Sequence, residues 1–134
     1  MRTRFLLILP LFSFGICHAE VLLPRICAAS NLSSQAIYEC SEYNKKIADQ
    51  DLNTAYKRLN DMISKDYKSM PSLGEKLKST VKKSQLTWIK LRDENCAIEV
   101  FVIESGTQAF ETTKNYCFAR EGAERSRYLN DLRF

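Results

Sequence analysis

The chain has 134 residues, room for one domain, and carries 20 Lys and Arg against 16 Asp and Glu, a formal charge of +4. An excess this small, interspersed along the sequence, does not argue for a nucleic-acid or anionic-membrane partner. Glycine and proline number only four and three. That is too few for the turns of an all-β fold, so an all-α domain is expected.

The first nineteen residues read as a secretory signal peptide. Met1-Arg-Thr-Arg is a short basic start, and Phe5 to Ile16 is an apolar run interrupted only by Pro10, Ser13 and Gly15. Small residues at Cys17 and Ala19 then place a cleavage site before Glu20. The run is shorter than the ~20 residues a bilayer span takes, so no stable membrane insertion is expected after cleavage. Lipidation at Cys17 is the competing reading, and the bulky Ile16 before that cysteine speaks against it. The predicted product is a periplasmic or secreted domain of residues 20–134. Loss of Arg2 and Arg4 leaves it 18 basic residues against 16 acidic, a charge of +2, and loss of His18 leaves it no histidine.

The first predicted helix runs from about Ser33 to Asp66. Ile37, Cys40, Ile47, Ala48, Leu52, Ala55, Tyr56, Leu59, Met62 and Ile63 keep the three-and-four spacing of one face. Ser33 or Ser34 is placed to cap it, Tyr43–Lys46 is a candidate break, and Pro71 ends it. In the second helix Ser72 and Glu75 have capping-box spacing. Leu73, Leu77, Val81, Trp88, Leu91 and Cys96 continue its face, and the β-branched stretch Ala97–Ile103 reads as its buried end. Ser105-Gly-Thr107 is a turn. The third helix, about Gln108 to Leu132, is then an antiparallel neighbour of the second, with Gly122 inside it at a cost of about 1 kcal/mol relative to Ala. The expected architecture is a small antiparallel bundle of three to four helices.

Four cysteines remain after cleavage: Cys27, Cys40, Cys96 and Cys117. An even count in an exported chain reads as a disulfide framework. Of the three possible pairings, Cys27–Cys40 with Cys96–Cys117 is the economical one, since two lie early and two late. A zinc site is the weaker reading, because neither pair has knuckle spacing and no histidine is available.

Gln85, Trp88, Arg92, Asp93 and Cys96 crowd one side of the second helix. They form either an exposed anchor of aromatic and guanidinium or a buried Trp with Arg92 stacked on it; the structural reading is favoured. Asp49, Leu52, Asn53 and Tyr56 likewise share a side of the first helix. There Asp49 or Asp51 is a candidate partner for Arg92, and Asn53 for a backbone group at a helix crossing. No nucleophile with a base, paired acid or metal cluster stands out, so no catalytic residue, cofactor or metal is assigned. An acid pair drawn from two helices is the only enzymatic alternative.

These same residues carry a resemblance. Asp49 with Leu52-Asn53, Tyr56 and Leu59, then Gln85-x-x-Trp88-x-x-x-Arg92-Asp93-x-x-Cys96, then Cys117 with Arg125 and Leu129, together resemble the motifs of the LprI-like lysozyme-inhibitor family of small exported proteins. The resemblance runs from Cys27 to Leu132. It departs at Leu91, where the family often has an aromatic residue, and at Gly122, where a polar residue is usual. It implies a disulfide-bonded helical domain of the cell envelope. Its partner would be a protein, with a lysozyme as the specific candidate, bound by occlusion of the substrate cleft. A non-catalytic factor that binds a cell-wall component or another envelope protein is the alternative. The mild charge of +2 offers no long-range attraction to the strongly basic lysozymes of animal type.

Overall fold

The computed structural model describes Cys27 and residues 33–134. The expected signal peptide, its cleavage site and Cys17 lie outside the described residues. Within these the chain forms three helices and no strand: α1 (Ser34–Asp66), α2 (Pro71–Glu99) and α3 (Gln108–Asp131).

The helix ends follow local chemistry. Ser33 caps α1, its hydroxyl accepting from the Ala36 amide at 3.2 Å. Thr107 caps α3 in the same way through Phe110, also at 3.2 Å. Between α2 and α3 the chain reverses through Gly106, whose φ of +81° is the left-handed conformation that glycine adopts without steric cost. α1 is continuous through Tyr43–Lys46, where no break occurs. At α2 the capping box is not used: Met70 is the cap, with no side-chain bond, and Pro71 is inside the helix at its first turn. Proline suits that position because its missing N–H would have had no helical partner.

Cross-helix contacts define the topology. Gln108 reaches Gln35, Asn115 reaches Ser41, Gly122 lies on Ala48 and Arg58 bonds Asn130, so α3 runs parallel to α1 at a near-constant offset. α2 runs antiparallel to both, as Cys96–Cys117 and Arg125–Gln85 show. The closest packing is between α1 and α3, not between the sequence neighbours α2 and α3. Small and polar residues make this possible. The seam is built from Ser41, Asn44, Ala48 and Ala55 on α1 and Asn115, Ala119, Gly122 and Ser126 on α3, all buried.

The apolar core occupies one half of the bundle. Leu52, Ala55, Leu59, Ile63, Val81 and Leu129 form it, with Leu77, Trp88 and Leu132 packed around. In the other half apolar burial thins and the two cysteine pairs take over. Both pairs, Cys27–Cys40 and Cys96–Cys117, sit at disulfide distance, with Cα atoms 5.9 and 5.6 Å apart. Two expectations for α2 need correction. Leu73 and Leu91 are exposed rather than on the buried face. The stretch after Cys96 is also not a buried helix end: α2 stops at Glu99, Val100 is buried, and Ile98, Phe101 and Val102 are 73, 86 and 91% exposed. Among the described residues nothing covers these three side chains.

Candidate functional site

The residues facing the bundle from α2 are only partly apolar. Along Leu77, Val81, Gln85, Trp88, Arg92 and Cys96, at helical three-and-four spacing, two polar side chains replace core residues. Trp88 is half-buried against the core, and two guanidiniums approach its ring. Arg92 lies 5.4 Å from the ring centre and Arg125, from α3, lies 5.7 Å away. Arg125 also stacks at 4.9 Å on Tyr128. Its Nε donates to Gln85 Oε1 at 3.0 Å and its Nη2 to Ser84 Oγ at 2.9 Å. Partial burial pulls its pKa down, but a guanidinium starts far enough above neutrality to remain charged. The fork therefore latches α2 to α3 in a fixed register.

Arg92 takes neither Asp49 nor Asp51. It donates twice to Asp93, its own neighbour, at 2.9 and 2.7 Å, and lies 4.7 Å from the Phe118 ring. Lys45 and Lys114 approach the same ring at 5.2 and 5.7 Å. Phe118 was not singled out in the sequence. Its signal was available, since it follows Cys117 and stands seven residues before Arg125 on the same helix. The structure thus joins Gln85, Trp88 and Arg92 with Arg125, and leaves Asp49 and Asn53 elsewhere. Leu52 is in the core and Tyr56 packs against it. Asp49 and exposed Asn53 line a shallow recess of about 370 Å³ beside α1, together with Glu42, Lys45 and Asn115. Among the described residues Asn53 makes no side-chain bond to a helix crossing there.

One buried group stays unpaired among the described residues. Asn44 points its amide nitrogen toward Cys27 and Cys40 sulfur at 3.8 and 3.9 Å, and its Oδ1 has no partner. Among the described residues no three His, Cys, Asp or Glu side chains gather as a metal site. Nor is any helix there long and apolar enough to cross a membrane. What the arrangement provides chemically is a fixed scaffold with exposed surfaces suited to contact.

Comparison with known proteins agrees with that character. The crystal structure of a DUF1311 family protein from Pseudomonas putida KT2440 is similar, with 27% identity and a TM-score of 0.67 over 75% of this chain and 93% of that one. No protein of curated function matches significantly. The family described as lysozyme inhibitor LprI matches residues 27–129, a span that takes in both cysteine pairs, the Trp88 network and the α1–α3 seam. By that match the chain belongs to the LprI lysozyme-inhibitor family.

Proposed function

We propose that this protein is an exported, non-catalytic inhibitor that binds a lysozyme and occludes its substrate cleft. One observation carries the reading: the family match covers the whole stapled helical domain rather than an isolated motif. Inhibition by occlusion needs a rigid body and a surface, with no cofactor and no assembled acid–base pair. Export fits the basic start, the apolar run and the cleavage signal before Glu20, and an oxidising compartment suits two disulfides. The domain of residues 20–134 would then act free in the periplasm or outside the cell, with a protein and not a nucleic acid as its partner.

A turbidity assay tests this. Protein purified from the envelope fraction should have the mass of a chain beginning at Glu20, with no lipid on Cys17. Added to cell walls and a basic animal-type lysozyme, it should slow clearing in proportion to its concentration. No effect at any ratio would point to the envelope-factor alternative. Clearing without added lysozyme would make the protein an enzyme.

A further inference from the structure

The small net charge of the sequence conceals acidic and basic stretches that the fold gathers at opposite ends. α1 and α3 are parallel and α2 antiparallel, so the start of α1, the end of α2 and the start of α3 meet at one end of the bundle. The segments gathered there, residues 33–44 and 93–111, hold seven carboxylates and no Lys or Arg. Six of the seven are exposed. Cations bordering this end bond two of them, Arg92 to Asp93 and Arg120 to Glu99, while Lys45 and Lys114 lie over Phe118. The opposite end has the other sign: residues 57–83 hold eight Lys and Arg against three carboxylates. From Glu39 to Lys65 along α1 is about 40 Å at 1.5 Å per residue. That is several times the ~8 Å screening length of physiological salt, so an approaching partner senses one pole at a time. Partly exposed Tyr38 registers the acidic pole. Its pKa is raised, first by donation to Glu42, then by desolvation and by the charges of Glu42 and Glu111.

The acidic pole also carries the exposed apolar turn. Phe101 and Val102 project from it, and Ile98 and Leu91, seven residues apart on α2, extend the apolar surface down one flank. The turn is well braced. Val100 is buried beneath it, Cys96–Cys117 closes its base, Glu99 pairs with Arg120, and the Ile103 amide bonds the Val100 carbonyl at 2.9 Å. A protruding apolar tip that is already ordered loses little freedom on binding and fits a concave site. Its acidic collar suits a basic partner.

From this we propose that the acidic pole is the docking surface, with Phe101 and Val102 entering the substrate cleft of a strongly basic lysozyme. The assignment rests on the inhibitor reading above and names the surface that performs it. Steering by the pole supplies the attraction that a net charge of +2 lacks.

Calorimetry and stopped-flow binding to a basic animal-type lysozyme test it with three variants of the mature, oxidised protein. Phe101→Ser with Val102→Ser should lose at least tenfold in affinity and melt like the parent, because both side chains are already in water. Glu39→Gln, Glu94→Gln and Glu104→Gln together should slow association several-fold and flatten its salt dependence. Lys65→Gln, Lys76→Gln and Lys82→Gln at the far pole should leave the affinity unchanged. If the parent inhibits and the tip variant inhibits equally, the surface lies elsewhere and this inference fails while the inhibitor reading stands. A parent that binds no lysozyme removes both. Concentration-dependent self-association in ultracentrifugation, abolished by the tip variant, would instead assign the acidic tip to the basic pole of a second copy and overturn the proposal.

Discussion

Trp88, Arg92 and Arg125 show how far a residue's role follows from its neighbours in sequence and where it stops. The i,i+4 spacing of Trp88 and Arg92 makes their stacking legible, because both lie on one helix. The hydrogen-bond partner of Gln85 is forty residues away on α3, and no local pattern reveals it. Asp49 looked suitable for Arg92 by charge, yet Asp93 beside it captures the guanidinium without requiring any helix to approach. The distinction has energetic consequences. Trp88→Ala removes a half-buried aromatic, so it should cost about 2–3 kcal/mol, below the 3–5 of full burial. Arg125→Ala should cost about 1–2 kcal/mol, because it leaves the half-buried Gln85 oxygen without its donor. Arg92→Ala breaks a pair whose carboxylate is half in water and should cost about 1 kcal/mol or less. Urea unfolding of the three variants gives the order directly. A loss at Arg92 equal to or greater than that at Arg125 would contradict the latch assigned to Arg125.

Among the elements, the long apolar stripe made the span of α1 readable except at Tyr43–Lys46, where the interrupted stripe suggested a break that does not occur, whereas the α1–α3 seam was hidden. Ser41, Asn44, Asn115 and Ser126 are polar, and a search for apolar periodicity passes over them although they are buried. Ala97–Ile103 failed for the opposite reason. Apart from Glu99 its residues are apolar, but burial also needs a neighbouring element, and among the described residues none covers Ile98, Phe101 or Val102. Gly122 belongs to the seam, where the close approach of α1 limits the size of the side chain and the backbone conformation does not require glycine. A Cβ on it would meet the Cβ of Ala48 at 3.4 Å, ordinary van der Waals contact. Gly122→Ala should therefore be accepted, and the helix-propensity gain of about 1 kcal/mol should raise the melting temperature by a few degrees. Gly122→Leu would wedge the parallel helices apart and should cost about 1–3 kcal/mol. Thermal melts of both separate this account from one in which any side chain at 122 is tolerated.

For the molecule as a whole, the two ends are held together by different forces. At the basic end Leu52, Leu59, Ile63, Val81 and Leu129 supply apolar burial. At the acidic end the buried residues are mostly small or polar, and the two cysteine pairs supply covalent links instead. α2 depends on its link most, because Gln85 and Arg92 occupy positions where core residues would seat it more firmly. Closing the loop between Cys96 and Cys117, a separation of 21 residues, should stabilise the fold by about 3 kcal/mol in the chain-entropy model. Reduction should therefore not melt the protein uniformly. The end of α2, the Phe101 turn and the start of α3 should loosen first, while α1 from Leu52 to Ile63 stays packed. Hydrogen exchange of the oxidised and reduced protein at neutral pH reads this segment by segment. Residues 92–107 should exchange at least tenfold faster after reduction, with little change at residues 52–63. The Cys96→Ala, Cys117→Ala double variant should behave like the reduced protein even when Cys27–Cys40 is intact. Equal loss of protection in both halves would mean that the core and the stapled end unfold as one unit, and that the division of labour between them is wrong.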